Sequence, residues 1–383
     1  MAASIRGIAS IVCLWTGIAA AQGARPVETV PGMPPVPDPT NLYSETRADR
    51  LSPAVATALP RVYVPNRQSN DVTVIDPITM KVVDRFPVGI HPQHVVPSWD
   101  LKTLWVTNNA EGRPDGSLTP IDPTTGKPGP SIFIDDPYNM YFSPDGKSAI
   151  VVAEALKRLD FRDPQTMALQ SSLPVPDCRG INHADFSIDG RIAIFTCEFQ
   201  GSLARIDLVN RKVLGYLKLS RGGMPQDIRA SPDGSLYFVA DMKAGGVFVI
   251  DAATFIETEF IKTGIGTHGL YPSRDGTKLY VANRGTPHVY GPPKGRGSVT
   301  VIDFATRQIV AIWPIPGGGS PDMGNVSVDG KVLWLSGRFD NVVYAIDTTS
   351  GEVRRIPVGR EPHGLAVWPQ PGRYSLGHTG NMR

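Results

Sequence analysis

This chain of 383 residues lacks any strong excess of charge. Its 38 lysines and arginines nearly balance 36 aspartates and glutamates. No arginine-rich run or basic stripe appears, which excludes the usual electrostatic footprint of a nucleic-acid binder. Long apolar runs are also missing: beyond the first residues no stretch approaches the roughly eighteen apolar positions of a membrane-spanning helix. Cysteine is scarce, at three, and no C-x-x-C or H-x-x-x-H spacing marks a metal motif. Nucleophile elbow, triad spacing and cofactor fingerprint are all absent, so no motif argues for catalysis.

Glycine and proline, by contrast, are abundant, at 39 and 36. That many turn formers favours an all-β chain over a helical bundle. At the N-terminus "MAASIRG" is positive, "IASIVCLWTGIAA" is apolar, and Ala19-Ala20-Ala21 precedes Gln22. This is the pattern of a cleaved export signal over residues 1–21, and it predicts a periplasmic or secreted protein. Cys13 leaves with the signal, and Cys178 and Cys197 meet a compartment in which a disulfide persists. Residues 22–60 are proline-rich at first and read as an extended or disordered leader, with a short helix or turn within "LYSETRADRLSPAVATAL".

The stretch "HGLYPSRDGTKLYVANRG", residues 268–285, is a β-hairpin with polar ends. It is one of several. Turn aspartates recur at Asp100, Asp145, Asp189, Asp233, Asp275 and Asp329, spaced 45, 44, 44, 42 and 54 residues apart. A period of about 40–50 residues signals a propeller. Each turn precedes a strand such as "LYFVAD" or "LWLSGR", then a third strand ending in Ile-Asp or a similar pair, then an alternating fourth. The segment "LKRLDFRDP" fits this pattern worst. The chain opens with three strands, "RVYVPNRQSNDVTVIDPITMKVVDRFPV", and closes on one, "PHGLAVW". Together these make a single blade from both termini. The prediction is an all-β, seven-bladed propeller of four-stranded antiparallel blades over residues 61–372, followed by a tail at 373–383. A ring without a free edge also predicts a monomer.

The motifs "LYVANR", "RVYVPNRQSNDVTVID" and "SPDG" resemble the YVTN-repeat (YncE-like) family of exported β-propellers, over nearly everything from Arg61 to Trp368. The resemblance implies the scaffold. It leaves the function open, because that family spans surface-layer proteins, periplasmic binding proteins and relatives of the haem d1 propeller of nitrite reductase.

In such a ring the start of each first strand and the end of each second strand meet at the mouth of the central channel. Equivalent positions there form three columns. One holds Gln93, Tyr138, Asn182, Gln226, His268, Asp322 and His363; the next holds His94, Asn139, His183, Asp227, Gly269, Met323 and Gly364; the third holds Arg67, Asn109, Glu154, Glu198, Met242, Arg284 and Arg338. Arg67, Arg284 and Arg338 fall on one flank, and Glu154 and Glu198 on the other. From these columns the candidate ligand-binding set is Arg67, His94, Asn139, Glu154, His183, Glu198, Asp227, His268, Arg284, Asp322, Arg338 and His363. Guanidinium groups suit a carboxylate or phosphate-like ligand; the bland alternative is arginine–glutamate pairs that merely knit blades together.

His94, His183, His268 and His363 are candidate metal ligands, since imidazole suits zinc, copper, iron or nickel. Against this, equivalent positions of different blades stand apart around the ring. His183 and Glu198 are the candidate acid–base pair for any enzyme activity. Cys178 and Cys197 are expected to form a disulfide across the Asp189-Gly190 hairpin. The local Val-Pro-Asp-Cys hairpin is similar to one in the large propeller subunit of methylamine dehydrogenase, which adds a quinoprotein partner to the alternatives. The insertion "GTPHVYGPPKGRGS", residues 285–298, leaves from the mouth as a lid, a docking arm or a disordered loop. The tail lies over the ring or trails away. Together these features favour a non-enzymatic binding protein for a small polar or anionic ligand, or for a protein partner. The alternatives are a metal-, haem- or quinone-associated redox protein, or an enzyme resembling a lyase or lactonase.

Overall fold

The computed structural model describes residues 26–113 and 115–383; the predicted export signal lies outside them. It is a seven-bladed β-propeller. The first blade has the order Ala366–Trp368, Arg61–Asn66, Asp71–Asp76, Lys81–Pro87. Arg61 pairs with Trp368, Val62 with Val367 and Tyr63 with Ala366, so the two termini close the ring as expected. Six further sheets follow in chain order.

The blade pattern follows from burial and turn chemistry. The three inner strands of a blade are covered on both faces, as in Leu236–Asp241, whereas the outermost strand alternates, as in Lys212–Lys218. Apolar clusters fill the gaps between neighbouring blades: Tyr141, Ile150 and Phe161 pack on Phe186, Phe195 and Ile206. In each of the six complete hairpins the serine before the turn donates to the turn aspartate at 2.5–2.7 Å. Glycine follows in five of them because that position has φ between 68° and 77°. In the remaining hairpin Leu101 takes the left-handed conformation instead, with φ 65°.

One local expectation needs correction. Within "LKRLDFRDP", Arg158–Arg162 is a regular strand paired on both sides. Its pattern looked poor because buried Asp160 binds Arg158 at 2.9 Å and Arg162 at 3.5 Å, placing charge where apolar residues are expected. The irregular strand lies one blade earlier. There Pro128 and Pro130 split the outer strand into Lys127–Pro128 and Ile132–Phe133, since proline has no N–H to donate to the ladder.

Residues 26–60 pack against the turn side of the ring. Val30 N–H donates to the Asp189 carbonyl, Leu42 N–H to Pro232 and Leu59 N–H to Pro123, and Val30, Met33, Leu42, Tyr43 and Val55 are buried. The tail neither lies over the ring nor trails away. Residues 373–383 form a tight hairpin inserted into the channel. Leu376 N–H donates to Asn381, Arg383 N–H donates to Tyr374, and the short helical turn His378–Gly380 makes the tip. The channel side takes it up through Phe142 N–H to Leu376 O, Asn381 Nδ2 to Ala184 O, and Arg383 to Asp185 at 2.7 Å. An open channel would leave polar strand ends facing a narrow void; the tail fills it with partners. No described helix is long and apolar enough to cross a membrane.

Candidate functional site

At the mouth, the starts of first strands and the ends of second strands enclose a cavity of about 50 Å³. Its wall includes Arg67, Glu154, Glu198, His268, Arg284, Arg338 and His363 from the candidate set, with Gln93, Asn109, Tyr138 and Gln226 beside them. The insertion contributes as well. Val289 lines the cavity, the His288 carbonyl accepts from Arg284, and Tyr290 donates to Glu111 at 2.8 Å.

The three arginines share a carboxylate network. Arg284 binds Asp322 at 2.8 Å; Arg67 binds Glu361 at 2.9 Å and also pairs with Glu111. Arg338 sits between these pairs, 3.3 Å from Glu361 and 3.6 Å from Asp322. Its Nε is buried and meets Glu361 only through that 3.3 Å contact, which is not aligned as a hydrogen bond. The network therefore answers much of the arginine charge from within, and Arg338 is the guanidinium with capacity left for a ligand. Across the cavity Asn182 donates to Glu198 at 3.1 Å. Burial pushes Glu198 up, against the hydrogen-bond donation of Gln226 and the charges of Arg284 and Arg338. Burial pushes Glu154 well up, and the Glu198 charge adds to it. Since Glu198 has the donors, Glu154 is the carboxyl that keeps its proton.

His94, His183, Asn139, Asp227 and Asp322 are not part of the cavity wall. Asn139 has a structural role, accepting from Met140 N–H and approaching the Tyr141 hydroxyl at 3.3 Å. Asp322 lies behind the wall, 3.0 Å from His268. His183 and Glu198 come from the same hairpin, yet no hydrogen bond or ion pair joins them among the described residues: one faces the interior and the other the mouth. The acid–base pair drawn from sequence is not assembled.

The histidines come together instead. Ring centroids of His94 are 5.4 Å from His183 and 4.8 Å from His363; His268 is 6.3 Å from His183 and 6.0 Å from His363. The separation expected from their different blades is overcome by the narrowness of the channel and by a fifth imidazole. His378, carried in on the tip of the tail, is 4.3 Å by ring centroid from both His94 and His183. All five are buried, and burial, ahead of every neighbouring charge, holds each well below the ordinary histidine value. They are neutral. One contact is a hydrogen bond, His183 Nδ1 to His378 Nε2 at 2.7 Å. Five ring nitrogens have no hydrogen-bond partner among the described residues: both of His94, Nε2 of His183, Nε2 of His363 and Nδ1 of His378. A buried polar atom left so costs about 1–3 kcal/mol. Nothing local in "SLGHTGNMR" announced His378, because its role depends on where the tail goes.

The disulfide is present: Cys178 and Cys197 are bonded, with Cα atoms 4.8 Å apart.

Known structures share this architecture. A periplasmic gluconolactonase from Pseudomonas aeruginosa superposes with TM-score 0.66 at 18% identity, covering 82% of this chain and 99% of its own. Hydrazine synthase of Kuenenia stuttgartiensis gives 0.63 at 20% identity, covering 76% and 94%. The dihydro-heme d1 dehydrogenase NirN gives 0.60 at 17%, covering 81% and 75%. Identities this low show the fold alone. No curated protein sequence matches the chain. The family model described as YNCE-like beta-propeller matches residues 29–371, and the chain belongs to that family.

Proposed function

We propose that this propeller is an exported binding protein that takes a small polar ligand with an anionic group at the channel mouth. The observation that carries this reading is Arg338. It is buried on the cavity wall, held only by long ion pairs, and keeps unused donor capacity. A carboxylate or similar anion suits that guanidinium. Glu198, Gln226 and Tyr138 on the rest of the wall suit hydroxyl or amine groups. The cavity admits only the head of such a ligand, so a larger body requires the insertion to release its Tyr290–Glu111 contact.

Calorimetric titration with a panel of small carboxylates and sugar acids tests this. Losing a charge-assisted hydrogen bond is worth about 1.5–3 kcal/mol, roughly 10- to 100-fold in affinity, so Arg338→Ala should bind at least tenfold more weakly. Equal affinity in the variant, or no binder in the panel, sinks the proposal. A second reading, lactone hydrolysis, draws support from the facing Glu154 and Glu198 carboxyls, of which Glu154 is pushed further up by burial and by its neighbour, the kind of split that acid–base pairs use. Lactone turnover abolished by Glu198→Gln would favour it over simple binding.

A further inference from the structure

Beneath the mouth, we infer that the channel interior is a metal site for a late first-row divalent ion such as Zn²⁺ or Cu²⁺, held by His94, His183 and His378 with Asp227 as the carboxylate. The inference does not depend on the mouth ligand. His183, Asp227 and His378 present one ligand atom each within 4.8 Å of one another, all three buried. His183 Nδ1 is 4.0 Å from Asp227 Oδ1. His94, outside that 4.8 Å group, stands over both histidines with neither of its nitrogens bonded and would close in as the third imidazole.

Hydrogen bonding within the cluster does not account for it. Each imidazole offers two ring nitrogens, and the single His183–His378 bond uses one on each ring. A divalent cation would replace that bond, taking His183 Nδ1 and His378 Nε2 together with Asp227, and would draw in one of the two unbonded nitrogens of His94. A thiolate-free set of imidazoles with one carboxylate is the donor chemistry of zinc and copper rather than of magnesium or calcium. Two nitrogens on a tetrahedral zinc at about 2.0–2.1 Å lie roughly 3.3 Å apart, so the His183–His378 pair, at 2.7 Å, opens by about 0.6 Å on loading. Asp227 is already oriented by Ile228 N–H, Leu270 N–H and Arg229, the kind of outer support that metal-binding carboxylates use.

The surrounding backbone is shaped to deliver these rings. A Cβ at Gly364 would lie 1.9 Å from His94 Nδ1, so only glycine leaves room for that imidazole. Gly377, with φ 110°, and Gly380, with φ 79°, flank His378 and turn the tail back on itself at the level of His94 and His183. The final ligand therefore arrives last, on the closing segment of the chain.

The test uses the full exported chain, produced with Zn²⁺ in the medium so that the ion is present while the tail docks, and then dialysed. Elemental analysis is expected to find one equivalent of zinc, falling at least tenfold in His94→Gln, His183→Gln and His378→Gln proteins whose circular dichroism matches the parent. Production with Co²⁺ instead should give the visible absorption of a tetrahedral nitrogen-ligated site in the parent. That readout stands even if a histidine variant fails to fold. A folded parent that holds less than about a tenth of an equivalent of Zn²⁺, Cu²⁺ and Co²⁺ overturns the inference and leaves the imidazoles bridged by water. Undiminished metal in the folded histidine variants overturns it too, by placing the ion elsewhere.

Discussion

Glu154 and Arg383 show how much a single side chain can be made to report. Burial and the facing Glu198 hold the Glu154 carboxyl well above its ordinary value near 4.5. The folded state thus keeps a proton that the unfolded chain gives up, and this contribution to stability fades as pH rises from about 4.5 through the folded value. Glu154→Gln removes the dependence. Its melting temperature should match the parent at pH 4 and exceed it by a few degrees at pH 8, measured by scanning calorimetry; a constant difference across that range would refute the assignment. Arg383 is the buried partner of Asp185, which is fully enclosed. Arg383→Ala removes the cation bonded to that carboxylate and leaves only the neighbouring Arg229 charge to answer it, a change worth about 3 kcal/mol, to be read from denaturant unfolding. Neither role was legible in sequence. Glu154 was expected at the mouth as a charge, whereas only its enclosure makes it an acid; Arg383 looked like the end of a polar tail.

Hairpins are the scale at which the sequence was most legible. Ser273, Asp275 and the backbone N–H groups of Gly276, Thr277 and Lys278 bond to one another within six residues, so the chemistry of such a turn is complete before any tertiary contact forms. The disulfide belongs to this scale too: Cys178 and Cys197 flank one hairpin. Cys178→Ala with Cys197→Ala should lower unfolding free energy by about 3 kcal/mol, as expected for a loop of roughly this length, and an unchanged denaturation midpoint would contradict that. The Lys127–Phe133 edge and the Arg158–Arg162 strand show where the element scale misleads. Proline breaks a strand that alternates acceptably, while alternating Arg158, Asp160 and Arg162 hide a strand that pairs on both sides.

For the whole molecule, closure is the decisive event. Ala366–Trp368 covers the inner edge of Arg61–Asn66. Removing residues 366–383 exposes that edge and empties the channel, so the truncated chain should self-associate in size-exclusion chromatography with light scattering, and the full chain is expected to run as a monomer beside it. A monomeric truncated chain would mean that the edge is protected some other way.

The sequence by itself determined the blade and its count, because alternation, turn residues and a period near 44 are local properties that repeat. It also placed Arg67, Glu154, Glu198, His268, Arg284, Arg338 and His363 around one cavity, since equivalent positions in a ring share one rim. Only the tertiary structure decided which of those charges answer one another, and that His94 and His183 turn inward to meet His378. Those contacts join residues 195 apart, as with His183 and His378. No local periodicity encodes such a meeting; it exists only once the ring has closed to a channel narrow enough for opposite blades, and the tail between them, to touch.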